Sequence, residues 1–513
     1  MKRNLLKALV LTVLVCLTTA CEKDYLDINT DPNNPAVADV NLALPAGQAQ
    51  VAFIVGGQFN ILGGIMAQYW SIPKGGNQYR TWDQYNITST TFDGQGGQFA
   101  TLYSGALQDF QYVINQGGPQ NEWRMVGISK IMKAYTYGVL TDLYGDIPFS
   151  EALNADRTIT PKYDKQKDIY AGLQALLDEA KADIAKKQGR FPGTADMLYQ
   201  AANEAGMDRW VRLANTLKLK FYLRLSQVEP TTARTGIQAL YTGSGSMFLQ
   251  AGESLQLANG TTTNTENPLW QANFRLSNNL TASTTIGNIM TPLNDPRMPV
   301  YFLDADLRTP AIEYVFTPNG TTSTNTATYT SYPGKYFIGQ RFANGTILGT
   351  AANSGVTAAD DNAAKARPVV LVAYEESLFL RAEAIARGWT GTTTDDAAKL
   401  YNEGITASMA RFGVQPGDYL TKAEVDYAKQ TNKIRAIALQ KYLALYGLNG
   451  AEAWAEQRRT GVPALTLPVV NLTGNQFMKR LPYVDSELQR NPNVSETGIA
   501  PGDVLTPVWW DVD

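Results

Sequence analysis

The sequence contains no histidine, which removes imidazole acid–base chemistry, His-bearing triads and imidazole–metal ligation together. Its only cysteines, Cys16 and Cys21, both fall within the first two dozen residues. The body of the chain therefore holds no internal disulfide, thiolate nucleophile or cysteine-ligated metal. No sustained Lys/Arg run occurs and the formal net charge is −3. A nucleic-acid partner needs a basic stripe to neutralise phosphates, so that class is set aside. Past the N-terminus no stretch reaches the roughly 20 apolar residues that a transmembrane helix takes. No G-x-S-x-G elbow is present either. Asp142 and Asp146 could share a helical face as a glycosidase-type pair. Gly145 and Pro148 end the helix there, however, so the two carboxylates read as capping and turn groups. The expectation is a protein with no catalytic residues, metal or cofactor.

What is present begins with an export signal. Lys2 and Arg3 precede an apolar stretch from Leu5 to Leu17, interrupted by Lys7 and Thr12. Thr18, Thr19 and Ala20 then lead into Cys21, the pattern of a signal peptide over 1–20. The cysteine that follows resembles a bacterial lipobox, although Thr18 stands where Leu is usual and Leu17 lies one residue further back. A diacylated thiol contributes roughly 0.8 kcal/mol per buried CH₂, so acyl chains on Cys21 would anchor the chain to a membrane. Glu22, Asp24 and Asp27 resemble the surface-export signal of Bacteroidetes lipoproteins. Residues 21–49 read as anchor and tether. Within them Asp27–Pro35 imitates a calcium loop, but Pro32 replaces the required glycine and Ala38 the bidentate glutamate. A polar turn is the reading there.

Helical patterns then come in pairs: 97–116 with 121–144, 165–187 with 208–228, 369–388 with 395–412, and 430–447 with 449–459. Ile169, Leu173, Leu176, Leu177, Ala180 and Ile184 recur on one face, with Asp164 as the expected N-cap. Leu371, Tyr374, Leu378, Ala382 and Ile385 form the stripe of the third pair. Such units bury their apolar faces only by stacking, which predicts a mainly α, tetratricopeptide-like scaffold. Its first half runs over 50–241 and its second over 369–513. Residues 242–368 are rich in Gly, Ser, Thr and Asn and read as a loop-rich, ligand-binding insertion, since binding residues concentrate on loops carried by a rigid scaffold. The segment 50–96 reads likewise as aromatic loops and short strands.

Several stretches together resemble the SusD/RagB family of outer-membrane nutrient-binding lipoproteins, most closely its SusD-like branch. They are Cys21 with Asp27–Asn33, Tyr144–Phe149, Thr160–Asp164, Arg209-Trp210, Asn215–Lys218 and Asp295–Arg297. Glu375-Glu376, Arg381–Ala384, Glu452–Trp454, Arg458–Gly461, Arg480–Tyr483 and Asn491–Asn493 follow. Their order spans nearly the whole chain. The resemblance implies a helical scaffold facing the extracellular side of the outer membrane. It also implies a SusC-like TonB-dependent barrel as partner, over which the lipoprotein closes as a lid while delivering an oligosaccharide or oligopeptide. A surface adhesin is the competing class, and a glycosidase a more distant one.

Glycan-handling members of that family use an aromatic platform, with polar side chains on the sugar hydroxyls. The candidates here are Trp70, Tyr79, Trp82 and Tyr85, with Asn77, Gln78 and Arg80 beside them. Trp270, Tyr332 and Tyr336 come from the second loop-rich stretch. Trp210 and Trp454 lie on apolar helices and read as core.

Overall fold

In the computed structural model, residues 39–93, 97–154, 156–242, 248–274, 279–305, 311–322, 329–338 and 358–512 are described. The export segment 1–20, Cys21 and the Asp27–Pro35 turn lie outside them. The Asp39 carboxylate accepts from the Asn41 N–H at 2.9 Å and caps helix α1, Val40–Gly56. Helix α2, Gln58–Met66, follows directly. The Val40–Met66 stretch is strongly apolar and mostly buried. Residues 40–66, read from sequence as tether and aromatic loop, are thus core helices. They are apolar nearly all round, so they lack the two-faced pattern that marks a surface helix.

After strand β1 (Trp70–Ser71), a π-helical turn over Thr101–Leu107 leads into α3, Gln108–Gly117. Helix α4, Trp123–Tyr144, packs on α3 and on α5, Gln166–Ala185. Gly145, at φ +79°, ends α4 and turns the chain into β2 (Ile147–Pro148), which pairs antiparallel with β3 (Tyr163–Asp164). The residue flanking α5 is Lys165, not Asp164. Asp164 sits in β3, where its carboxylate accepts from Phe149 N–H at 3.0 Å and Ser150 N–H at 2.7 Å. Asp146 instead takes the first N–H of α5, from Gln166 at 2.8 Å. Helices α6 (Glu204–Arg224) and α7 (Pro230–Thr242) complete the first half.

Strand β4, Leu255–Leu257, then leads to β5 (Thr281–Ala282), which pairs with β1, and to the short helix α8, Thr284–Met290. Strand β6, Val369–Val372, pairs with β4. Leu371, expected on the third helical stripe, therefore lies in a strand. The run Val-Val-Leu-Val is β-branched and apolar on both faces, which suits a buried strand better than a helix. Helices α9 (Tyr374–Ala386), α10 (Ala397–Arg411), α11 (Lys433–Leu445) and α12 (Gly450–Thr460) finish the scaffold. Helices dominate and no sheet among the described residues exceeds two strands, so the chain is mainly α, as its periodicity predicts.

Helices α2 and α12 approach through bare backbone. A Cβ placed on Gly63 would stand 2.2 Å from the Gly450 carbonyl carbon and oxygen, and one on Gly450 would meet Asn60 O at 2.2 Å. Asn60 clips the pair, accepting from Gly450 N–H at 2.8 Å. Backbone cannot move aside as a side chain can. Gly63→Ala is expected to destabilise by about 3 kcal/mol, read as a lowered urea midpoint at unchanged slope.

An ionic cluster fills the space among α4, α6, α9, α11 and α12. Arg224, fully buried, touches Asp142 at 3.1 Å, Glu452 at 2.9 Å, and Glu456. Arg459, also fully buried, bridges Glu456 at 2.6 Å and Glu383 at 2.7 Å. Lys220 joins Glu376 at 3.1 Å to Glu452 at 2.7 Å, and Lys441 reaches Glu456 at 3.1 Å. Burial pushes the Glu456 carboxyl up, but Arg459, Lys441 and Arg224 outweigh it and hold the group well below the carboxylate range. Glu383 and Glu452 are likewise lowered, burial being outweighed by Arg459 in one and by Arg224, Lys220 and Lys441 in the other.

Candidate functional site

A cleft of about 460 Å³ opens where three segments far apart in sequence meet. One wall is α8, whose Thr284 and Asn288 share a face by their spacing of four. Ser283 starts this helix by accepting from the Thr285 N–H at 3.2 Å. The second wall is the turn at Pro318–Asn319, and the third is the strip from Ala464 to Val469.

Gln68 holds the walls in register. Its amide donates to the Thr466 carbonyl, while its Oε1 accepts from the Thr466 N–H at 3.1 Å and from the Thr285 hydroxyl at 2.5 Å. Gln68 itself lies at φ +58°, a conformation that disfavours non-glycine residues. Strain of that sort persists only when surrounding contacts over-determine it. Asn319 is fixed just as fully. Its Nδ2 donates to the Trp70 carbonyl at 2.8 Å and to Asp83 Oδ1 at 2.6 Å, and its Oδ1 accepts from the Ser283 hydroxyl at 2.6 Å.

Asp83 lies behind that wall, fully buried, and also accepts from Gly320 N–H at 2.7 Å and the Ser71 hydroxyl at 3.2 Å. Burial raises its carboxyl to about 6, against the pull of the Gly320, Asn319 and Ser71 donors and of Arg80. A folded value above the unfolded one means that this group's stabilisation is complete below about pH 4 and is lost as pH rises through 6. A rise from 3.8 to about 6 corresponds to about 3 kcal/mol. The stability of the wild type minus that of Asp83→Asn should therefore fall by that order between pH 4 and 7, whatever the constant offset between them. Parallel urea titrations at each pH check it.

Three polar groups in the cleft remain unused by the fold. The Thr284 hydroxyl, the Asn288 carboxamide and the Thr466 hydroxyl make no hydrogen bond among the described residues, and Asn288 and Thr466 are exposed. Beside them lie Ile289, Leu467 and Val469, the last 64% exposed. Hydroxyl and amide groups beside an aliphatic strip can hydrogen-bond and pack a ligand. None of the described lining residues is a carboxylate, an imidazole or a thiol. Among the described residues, no group of three or more acidic side chains is placed to hold a metal.

The sequence-named candidates lie elsewhere. Trp70, Tyr79, Trp82, Tyr85 and Trp270 are buried. Tyr79 packs on Trp82 at 4.8 Å between ring centroids, and Trp82 on Phe92 at 5.2 Å. Trp70 meets Tyr446 at 5.9 Å, and Trp270 carries the Lys365 ammonium at 5.0 Å. Tyr85 borders a smaller recess of about 140 Å³ with Trp454 and Phe477. Tyr332 and Tyr336 are half-buried, Tyr336 packing on Phe412 at 4.8 Å. Asn77 is exposed. Arg80 is tied to the carbonyls of Gly76, Pro73 and Thr321. None of these side chains lines the cleft, though the Trp70 backbone and Arg80 brace its second wall. Trp210 and Trp454 are core, as read.

Asp142 and Asp146 are both committed to structure. Asp142 accepts from Tyr170 and from Trp510 Nε1 at 2.9 Å, and Asp146 is engaged by Gln166 and by Lys165 at 2.9 Å. The motifs that carry the family resemblance are structural too. Arg480 donates to the Tyr144 carbonyl, Tyr483 to the Asp146 carbonyl at 2.8 Å, and Asn491 to the Pro161 carbonyl at 2.9 Å. Asp295 and Arg297 pair at 2.7 Å with neither side chain exposed.

The solved structures most like this fold include a chitin-binding protein, 24% identical, with a TM-score of 0.67, covering 91% of this chain and 100% of its own. A SusD homolog from Bacteroides uniformis is 23% identical, with a TM-score of 0.73, covering 92% and 99%. A chitin-binding SusD homolog from Flavobacterium johnsoniae is 23% identical, with a TM-score of 0.71, covering 91% and 99%. No curated protein sequence matches the chain. The SusD-like family described as starch-binding and associating with the outer membrane matches residues 45–483, and the chain belongs to it.

Proposed function

We propose that the protein is a non-catalytic surface lipoprotein that binds an oligosaccharide in the cleft between α8, the Pro318–Asn319 turn and the 464–469 strip. It would hand that ligand to a SusC-like TonB-dependent barrel. The carrying observation is the set of three unused groups, Thr284, Asn288 and Thr466, displayed beside an aliphatic strip on a stapled frame. Family membership supports the outer-membrane setting, and two structurally similar proteins are described as chitin-binding. Acyl chains on Cys21 would anchor the chain, with the barrel supplying passage across the membrane. A glycan suits the unused groups better than a peptide does. Sugar hydroxyls donate and accept in dense arrays, which hydroxyls and a carboxamide match.

Titration calorimetry with neutral oligosaccharides tests this. Asn288→Ala, an exposed change expected to leave stability within about 0.5 kcal/mol, should weaken binding about tenfold, the cost of one ligand hydrogen bond. Undiminished affinity would move the ligand out of this cleft.

A further inference from the structure

Resting on the glycan-binding reading, we infer that the cleft selects uncharged glycans and rejects polyanionic ones such as uronate or sulfate polymers. Among the described residues, none that lines it carries a charge. Among the described residues, the ionisable side chain hydrogen-bonded to the lining is Asp83, through Asn319, and it is an acid. Arg80, which braces the second wall, spends Nε, Nη1 and Nη2 on the carbonyls of Gly76, Pro73 and Thr321, and does not line the cleft.

A carboxylate or sulfate entering this space would lose water without meeting a cation among the described lining residues. An unpaired anion in a partly dry site costs several kcal/mol. A neutral sugar gives up only hydroxyl hydration, and Thr284, Asn288 and Thr466 can replace it. The aliphatic strip at Ile289, Leu467 and Val469 adds contact for C–H faces and nothing for charge. Specificity here works by exclusion: the site withholds the partner that an acidic ligand requires.

Affinity electrophoresis of the full chain in gels containing galactomannan, a soluble β-glucan, polygalacturonate or chondroitin sulfate tests this, with chitohexaose titrated by calorimetry. At least one neutral probe should bind at least about tenfold more tightly than either polyanion, and that binding should be nearly insensitive to salt. Asn288→Lys, which places an ammonium in the cleft, should raise affinity for polygalacturonate about tenfold at low salt. Comparable or tighter binding of the wild type to a polyanion would overturn the selection while leaving glycan binding intact. Neutral preference without the gain in Asn288→Lys would show that selection occurs outside this cleft and overturn the assignment. Binding to no probe would remove the glycan reading and this inference with it.

Discussion

Arg224→Met should lower the unfolding free energy by about 3–5 kcal/mol, among the largest effects of any single substitution in this chain. The guanidinium is fully buried and holds Asp142, Glu452 and Glu456 together. Removing it leaves those carboxylates facing one another with Lys220, Lys441 and Arg459 as the remaining cations. Methionine fills much of the volume, so the loss reports charge more than a cavity. Glu456→Gln, which keeps shape and one acceptor, should cost distinctly less. Urea unfolding at neutral pH compares the two, and equal losses would mean that Arg224 is no more the centre of the cluster than Glu456 is. The cluster also sets the acid limit. Glu383, Glu452 and Glu456 are lowered below 4.5 in the fold, so their stabilisation is complete above the unfolded value and drains away as pH falls through the folded ones. Glu376 runs the other way, because burial raises it. Three lowered groups against one raised place the net loss on the acid side, below about pH 4.5.

The second large effect belongs to Gln68. Gln68→Gly should weaken glycan binding ten- to a hundredfold, about 1.4–2.8 kcal/mol, read on protein that is shown to be folded. Glycine accepts φ +58° without strain, and the Thr466 and Thr285 groups it releases lie where water can reach them. What disappears is the register between α8 and the 464–469 strip. Gln68→Ala removes the same staple but keeps the backbone strain, so it should bind as weakly and unfold more easily. If Gln68→Gly bound as tightly as the wild type, the cleft geometry would not depend on the staple.

The helical pairs were legible because stacking scaffolds need apolar stripes at helical spacing, and Ile169, Leu173 and Leu177 show one plainly. Helices α1 and α2 were missed because an all-round apolar helix has little periodicity to detect. Asp164 looked like a cap because a polar residue before a periodic run has that local signature. Its actual partners, Phe149 and Ser150, come from a strand pairing that local reading does not reach. The cleft was hidden for a deeper reason. Thr284, Asn288 and Thr466 are common loop residue types, and only the fold brings together positions about 180 apart. Large aromatics carry the stronger signal in a sequence. Buried area, however, is what such rings contribute most, and the interior took Trp70, Trp82 and Trp270. The family motifs were recognisable because buried ions such as Arg459 and Glu383 admit few alternatives once each partner must be satisfied.

The Gly63–Gly450 crossing also bears on how such a chain matures. Asn60 hydrogen-bonds both Gly447 and Gly450, and Tyr442 donates to the Ala67 carbonyl at 2.9 Å. Helix α2 thus has its main packing partner almost four hundred residues downstream, whereas α1 meets α3, where Gly47 faces Phe110, much sooner. During synthesis or passage through a membrane, α2 would wait with that apolar side uncovered until most of the polypeptide had emerged. Shielding that early segment until the last helices arrive falls to whatever escorts the nascent molecule.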